Sequence, residues 1–287
     1  VLGGRGLAVP GKFGRAGVVQ GAPGAGGAAI GARIGRPASR RGGLDQLAAL
    51  WPGPLTVVLR RKAGVPDLVT AGKDTVAVRL PAHPVFREVL RLAGRPLAAP
   101  SANPFGYVSP TRAAHVVDSL GARCPWVVDG GPCEHGVEST ILDLSVPGRA
   151  RLLRPGPIPV ETLRSLLGEV EVVTRAASQH APQDAPGMLD RHYSPATKVA
   201  LFPVGSLPVI ANLRSAVVFL GRRASPPANA DVFLLSEAGV VAEAAHHLFD
   251  LLRRLDGQGY ETIHVELANP AGVGAAYNDR LTRAAAR

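Results

Sequence analysis

Residues 97–104 read LAAPSANP, a short apolar strand that runs into a loop of small polar residues between two prolines. The prolines fix the two ends of the loop, and the small side chains allow a ligand to approach the backbone closely. Ser101 and Asn103 supply both hydrogen-bond donors and acceptors. An ordinary Asn-Pro turn explains this loop equally well, so its interpretation depends on the rest of the chain.

Three other stretches combine a short apolar strand with hydroxyl or arginine side chains, namely Thr75–Leu80, Gly136–Asp143 and Leu153–Gly156. Alternation along the first of these places Thr75 and Arg79 on the same face of a strand. None of the four stretches contains a nucleophile–base pair or a metal-binding cluster. The pattern indicates a site that holds anionic substrates and performs little covalent chemistry of its own.

The composition predicts a folded, soluble protein. The chain has 287 residues, of which 46% are hydrophobic, so it can form one large or two ordinary domains with packed cores. No apolar run approaches the roughly 20 residues of a membrane helix, and the N-terminus lacks a signal-peptide pattern. Cys124 and Cys133 are too few for a disulfide scaffold. We therefore expect reduced thiols, a cytoplasmic location and no membrane partner.

The positive charge is concentrated in one segment. Residues 1–44 contain seven Arg or Lys and no Asp or Glu, so they carry +7 of the net +10. Residues 1–43 are rich in Gly, Ala and Arg without a clear period, and we expect them to be poorly ordered. The stretch Gly24–Ala29 matches a dinucleotide-binding pattern, but chance explains that match better in so glycine-rich a segment.

Periodicity and turn signals predict alternating strands and helices from Leu44 onward. A helix is expected to open at Ser109-Pro110-Thr111, with Ser109 as its N-cap. Residues 174–195 lack a period and form either a linker or a lid. The remaining strands are predicted at Leu55–Leu59, Thr75–Leu80, Leu97–Ala99, Trp126–Val128, Val137–Leu144, Arg151–Arg154, Lys198–Phe202, Ala216–Leu220, Asp231–Leu235 and Thr262–Glu266. The remaining helices are predicted at Leu44–Trp51, Pro84–Leu92, Val160–Leu167, Val240–Leu255 and from Gly274.

Several short motifs together resemble the YrdC-like threonylcarbamoyl-AMP synthases, in the long form that carries an extra C-terminal domain. The matching pieces are Trp51–Thr56, Val76–Pro81, Pro100–Asn103, Gly136–Ile141, Leu153–Gly156, Pro186–Met188, Arg191–Pro195 and Gly274–Leu281. Each piece is short, but their number, order and spacing over more than 200 residues make the resemblance specific.

The resemblance implies an α/β fold, in which a YrdC-like open twisted mixed sheet is linked to a small doubly wound, Rossmann-like C-terminal domain. It implies a catalytic domain over residues 44–173, incomplete at its N-terminus, a linker or lid over 174–197 and a C-terminal domain over 198–287. Residues 1–43 are the atypical segment that precedes them.

Such enzymes combine L-threonine, bicarbonate and ATP into threonylcarbamoyl-adenylate and pyrophosphate, with Mg²⁺ carried by the nucleotide. A tRNA threonylcarbamoyl transferase then moves the group to adenosine 37 of tRNAs that read codons starting with A, and contact with tRNA or double-stranded RNA is possible for the family. The resemblance assigns threonine to Arg79, Ala99 and Ser139. It assigns ATP to Thr75, Ser101, Asn103, Ser109, Arg154, His192 and Tyr193, the last two closing the lid. No catalytic nucleophile and no protein-bound metal are implied.

The N-terminus departs from the family pattern. A Pro-Thr-Glu-Thr threonine pocket is absent, and the Lys-Gly-Arg-Pro motif is reduced to Ile34-Gly35-Arg36-Pro37. A lost lysine removes a charge that phosphate binding uses, so we expect little synthase activity from the chain as written. The acid-free composition that ends at Leu44 suggests translation in a wrong reading frame. Two alternatives stay open, a non-catalytic RNA-binding module and a carbamoyl-transfer domain like that of hydrogenase maturation proteins.

Overall fold

The computed structural model describes residues 18–20, 35–36, 43–173, 192–211 and 214–286, and these fall into two units. The first, called here the large-sheet unit, lies within Gly3–Ser101 and Ser139–Leu189. The second, called here the parallel-sheet unit, lies within Ala102–Glu138 and Asp190–Arg287. Each unit has its own sheet and its own hydrophobic core.

The described strands of the large-sheet unit form one mixed, eight-stranded sheet with the order β5-β1-β4-β3-β6-β7-β8, and β2 pairs with β3. Their bounds are β1 Val18–Gln20, β2 Gly35–Arg36, β3 Leu55–Arg61, β4 Thr75–Arg79, β5 Leu97–Ala99, β6 Thr140–Asp143, β7 Arg151–Arg154 and β8 Glu171–Val172. Neighbours are parallel at β1/β4, β3/β6 and β7/β8 and antiparallel at the other pairs. The predicted mixed sheet is therefore confirmed.

Strand β3 is buried on both faces of this sheet. Leu55, Val57 and Leu59 alternate toward the main core of the unit, where each is fully buried. Val58 points the other way, into a smaller cluster that includes Ile141. A strand covered on both sides reads as a continuous apolar run, which is why the sequence signal for this strand is clear.

The parallel-sheet unit contains four described strands, β9 Lys198–Phe202, β10 Ser215–Phe219, β11 Asp231–Leu234 and β12 Thr262–Glu266. They pair in parallel in the order β11-β10-β12-β9, as expected for the doubly wound C-terminal domain that the resemblance implies. The described helices of both units, in chain order, are α1 Gly43–Gln46, α2 Asp67–Thr70, α3 Pro84–Ala93, α4 Ala113–Leu120, α5 Val160–Leu167, α6 Val241–Asp256 and α7 Gly274–Ala285. Short 3-10 turns occupy Ala48–Leu50 and Gly121–Arg123.

The prediction that a helix begins at Ser109 is wrong. Helix α4 begins at Ala113, and Arg112 precedes it without a side-chain cap. The Ser109 hydroxyl is engaged by Glu138 instead, and its backbone carbonyl accepts from Arg253. These long-range partners hold the segment outside the helix.

Two strand predictions also need correction. Residues 126–128 form no strand, and Trp126 is 70% exposed. The strand expected from Val137 begins at Thr140. Residues up to Glu138 belong to the parallel-sheet unit, so only the residues after them can join the large sheet.

Two short strands lie in the segment for which poor order was expected. The backbone of β1 pairs in parallel with β4 and antiparallel with β5, and β2 pairs with β3. Their sequences lack the alternation that marks a strand, so the sequence did not predict them. The pattern at Gly24–Ala29 and residues 174–191 of the linker lie outside the described residues.

Across the described ranges, no helix has both the length and the apolar character that a membrane crossing requires.

A pair of leucine substitutions tests the placement of the large-sheet core. Leu59→Ala removes a fully buried side chain in β3 and should lower the free energy of unfolding by about 2–5 kcal/mol. Leu68→Ala removes a side chain that is 75% exposed and should change it by less than about 0.5 kcal/mol. Urea denaturation of both variants measures the difference, and equal losses would contradict the assigned core.

Candidate functional site

Arg154 is a buried cation of the large-sheet unit. It ends strand β7 and is 5% exposed. Its Nε and Nη2 donate to the Ser139 carbonyl oxygen at 3.1 and 3.0 Å, and Nη2 also donates to the Ser139 hydroxyl at 3.2 Å. Two N–H groups of the planar guanidinium thus converge on one carbonyl oxygen, a geometry that lysine cannot reproduce.

Ser139 connects Arg154 to the neighbouring strands. Its hydroxyl lies 2.7 Å from the hydroxyl of Thr56 on β3. Thr56 in turn stands opposite Arg79 in the antiparallel pair of β3 and β4, where opposite side chains share one face. Arg79 donates from Nε to the Gly53 carbonyl oxygen at 3.1 Å.

Ser139 therefore contacts both Arg154 and Thr56, and Thr56 is the cross-strand neighbour of Arg79. The sequence analysis did not assign Thr56 a role. The available signal was its position as the polar residue within the apolar run Leu55–Leu59. It is fully buried, and a buried hydroxyl needs a hydrogen-bond partner.

A close backbone approach fixes the ends of β6 and β7. A Cβ added to Gly156 would lie 2.3 Å from the Thr140 nitrogen and 2.7 Å from the Ser139 carbonyl carbon. The Thr140 hydroxyl also donates to the Ile158 carbonyl oxygen at 2.9 Å and accepts from the Ile158 amide at 3.0 Å. Glycine in the Leu153–Gly156 motif is thus explained by packing next to Ser139.

The other predicted residues of this unit lie at the ends of β4 and β5 or just after them. Thr75 begins β4 opposite Arg60, at the end remote from Arg79. Ala99 ends β5 opposite Val18 of β1. Ser101 follows β5 and is exposed.

The remaining predicted residues lie in the parallel-sheet unit. The Asn103 amide donates from Nδ2 to the carbonyl oxygens of Pro104 and Tyr107, both at 3.0 Å. These two bonds fix the orientation of the amide. Its Oδ1 is buried and accepts no hydrogen bond from the residues that the structure describes. Asn103 therefore presents an acceptor.

Ser109 is nearly buried and donates its hydroxyl proton to Glu138 Oε1 at 2.5 Å. The other oxygen of that carboxylate, Oε2, accepts from Arg280 Nε at 2.7 Å. Arg280 is fully buried in α7 and also donates from Nη1 to Asp279 Oδ2 at 2.5 Å. Burial alone would lower the pKa of Arg280, but Tyr193, Glu138 and Asp279 outweigh it and the pKa is raised.

His192 and Tyr193 pack against the same helices. The Tyr193 ring is fully buried, stacks on Phe249 of α6 at 5.3 Å, and lies 5.3 Å from the Arg280 guanidinium. The His192 ring meets the Tyr193 ring edge-on at 4.0 Å. The His192 amide donates to the Arg283 carbonyl oxygen at 3.3 Å. The start of the chain after the linker is thus anchored on α6 and α7.

Two family models match consecutive parts of the chain. A family model described as "Telomere recombination" matches residues 37–156, and one described as "Threonylcarbamoyl-AMP synthase, C-terminal domain" matches residues 158–286. The threonylcarbamoyl-AMP synthase of Pyrococcus abyssi is 38% identical over 243 residues, covering 82% of this chain and 71% of that protein. The chain belongs to the threonylcarbamoyl-AMP synthase family.

A second relative and a solved structure support the same family assignment. The threonylcarbamoyl-AMP synthase of Bacillus subtilis is 36% identical over 249 residues, covering 82% of this chain and 70% of that protein. The crystal structure of P. abyssi Sua5 complexed with L-threonine aligns with a TM-score of 0.81 at 32% identity, covering 96% of this chain and 81% of that one. The resemblance and the fold class predicted from the sequence are thereby confirmed.

The match of the first family model begins at Pro37, directly after Ile34-Gly35-Arg36. The departure noted in the sequence thus precedes the matched region. The predicted domain boundaries at 43, 173 and 197 stay predictions.

A glycine pair tests the packing around Ser139. Gly156→Ala places a methyl group against the backbone of β6, which cannot move aside as a side chain would, and should cost about 1–3 kcal/mol of stability. In Gly64→Ala the added methyl meets no described atom within 4 Å, so stability should be unchanged or slightly higher. Thermal and urea unfolding report both, and a neutral Gly156→Ala would contradict the close approach.

Proposed function

We propose that the chain is an L-threonylcarbamoyladenylate synthase, which forms threonylcarbamoyl-AMP and pyrophosphate from L-threonine, bicarbonate and ATP. Support comes from the relatives of that name and from the second family match. The observation that carries the proposal is the cluster of Arg79, Thr56, Ser139 and Arg154 within a member of this family. It gathers two guanidinium groups and two hydroxyls in one unit, and in this proposal the guanidinium groups meet the anionic groups of the ligands.

In this proposal Arg79 pairs with the threonine carboxylate, Ser139 bonds the amino acid and the Ala99 backbone borders it. Arg154 holds a phosphate oxygen of ATP, and its bonds to Ser139 orient it for that contact. The further residues proposed to contact the nucleotide are Thr75, Ser101, Asn103, Ser109, His192 and Tyr193.

The chemistry needs positioning rather than a nucleophilic side chain. The threonine amine and bicarbonate condense to a carbamate and release water. A carbamate oxygen then attacks the α-phosphorus, and the bond to the pyrophosphate oxygen breaks in line. The arginines stabilise charge on the oxygens, and Mg²⁺ enters with the nucleotide phosphates.

We assign the chain to the nucleotidyltransferases, acting in the cytoplasm before the transfer of the threonylcarbamoyl group to adenosine in tRNA. In this proposal a separate tRNA threonylcarbamoyl transferase uses the adenylate as its donor.

The two alternatives make different predictions. An RNA-binding module would use the +7 charge of residues 1–44, and filter binding would show salt-dependent RNA affinity without threonine-dependent turnover. A carbamoyl-transfer domain is disfavoured because residues 158–286 match a domain of the synthases.

Replacement of Ile34 tests the proposed function together with the expectation that the missing lysine limits activity. Ile34 lies outside the described residues, and it occupies the position of a lysine in the family motif. Hydrogen bonds to charged groups are worth about 1.5–3 kcal/mol, so Ile34→Lys should raise threonine-dependent pyrophosphate release by about 10- to 100-fold.

Ile34→Gln is the matched control, because it adds a polar side chain of similar length without charge, and it should restore less activity. Each reaction is run with ATP and bicarbonate, with and without L-threonine. If neither the parent chain nor Ile34→Lys releases pyrophosphate in a threonine-dependent way, the proposed function is wrong. If the parent chain already reaches the rate of Ile34→Lys, the missing lysine is not limiting.

A further inference from the structure

The segment Tyr107–Ser109 is held on its backbone side by helix α6. Arg253 donates to the carbonyl oxygens of Ser109, at 3.2 Å from Nε, and of Val108. Its guanidinium lies 4.9 Å from the Tyr107 ring centre, and the Tyr107 hydroxyl donates to Asp256 at 2.8 Å. The Val108 side chain is fully buried in the core of the parallel-sheet unit. The backbone of Ser109 therefore has a fixed position.

The side chain of Ser109 is fixed from the other direction by α7. A serine hydroxyl has one proton, and here Glu138 accepts it. Glu138 is itself held by the buried Arg280, whose other arm is held by Asp279. A carboxylate can only accept, so this arrangement leaves Ser109 with acceptor lone pairs for a ligand and no proton to donate.

An acceptor at Ser109 suits a ligand group that donates hydrogen bonds, whereas an anion-binding site must supply donors. Phosphate oxygens need donors, whereas sugar hydroxyls and the amine of adenine are donors that need acceptors. The Oδ1 of Asn103 is a second buried acceptor in this unit, and the same Tyr107 carries one of the carbonyls that orient it.

We propose that Arg280 is a positioning residue which, through Glu138, makes Ser109 a hydrogen-bond acceptor for a donor group of the nucleoside part of ATP. This inference rests on the proposed function, because it takes ATP as the ligand. Glu138 and Arg280 need not touch the nucleotide; they determine which way the Ser109 proton points.

Glu138→Gln tests the direction of that proton. If the oxygen of the substituted amide accepts from Arg280, the amide nitrogen faces Ser109 and donates to it. The Ser109 hydroxyl can then turn its proton toward the ligand, so that it donates a hydrogen bond there where it previously accepted one. The dissociation constant of ATP, measured by calorimetry on the full chain, should rise about tenfold or more, while that of L-threonine stays within about twofold.

Glu243→Gln is the matched control. Glu243 accepts a hydrogen bond from the Ser236 hydroxyl at 2.6 Å in the same unit, and neither residue is among those proposed to bind a ligand. It should leave ATP affinity unchanged. On α7 itself, Arg280→Lys should weaken ATP binding more than Arg283→Lys, because Arg280 donates to Glu138 and Asp279, whereas Arg283 is shown to donate to Asp279.

Nucleotide analogues separate positioning from simple loss of stability. In the parent chain, at least one of 2′-deoxy-ATP, 3′-deoxy-ATP and purine riboside triphosphate should bind about tenfold more weakly than ATP, because it lacks the donor that Ser109 accepts. In Glu138→Gln that discrimination should largely disappear. A destabilised but otherwise normal site would bind all four nucleotides more weakly by the same factor.

The inference is overturned if Glu138→Gln binds ATP as well as Glu243→Gln does, or if its discrimination among the four nucleotides equals that of the parent chain. It is also overturned if the parent chain binds all three analogues as tightly as ATP. Failure of the parent chain to bind ATP at all would contradict the proposed function and this inference together, and is recognised by the parent chain alone.

Discussion

A buried guanidinium must direct its N–H groups at acceptors, because leaving such a charge unpaired inside a protein is very costly. Each unit of this protein contains one. Arg154, 5% exposed, is satisfied by both the carbonyl and the hydroxyl of Ser139, and this joins the ends of β6 and β7. Arg280, fully buried, is satisfied by Glu138 and Asp279. In both cases the same bonds that offset the cost of burial orient a serine proposed to bind substrate.

The parts of the fold that the sequence predicted well are those decided by local pattern. The bounds of Val160–Leu167, Lys198–Phe202 and Thr262–Glu266 agree with the structure, because apolar periodicity and flanking turn residues specify them. The family motifs also identified Ser139 and Arg154, which the structure brings into direct contact. A short motif specifies a local backbone conformation together with the side chain that this conformation presents.

The features that the sequence did not predict depend on residues distant in the chain. Ser109 has the local signature of an N-cap, yet its hydroxyl is taken by Glu138, 29 positions away, and its carbonyl by Arg253, 144 positions away. Thr56 gained its importance only from Ser139, 83 positions away. Strand β1 has no alternating pattern, and its two neighbours in the sheet provide the pairing that defines it. Patterns within a short window of sequence cannot identify such distant partners.

As a threonylcarbamoyladenylate synthase, this chain would join threonine, bicarbonate and adenylate in one product. The most direct measurement is mass spectrometry of the full chain incubated with ATP, L-threonine and ¹³C-bicarbonate, with and without Ile34→Lys. We expect a threonylcarbamoyl-adenylate that carries a single ¹³C atom, with more of it from the Ile34→Lys variant. No labelled adenylate from either chain, while both remain folded and bind ATP, would contradict it.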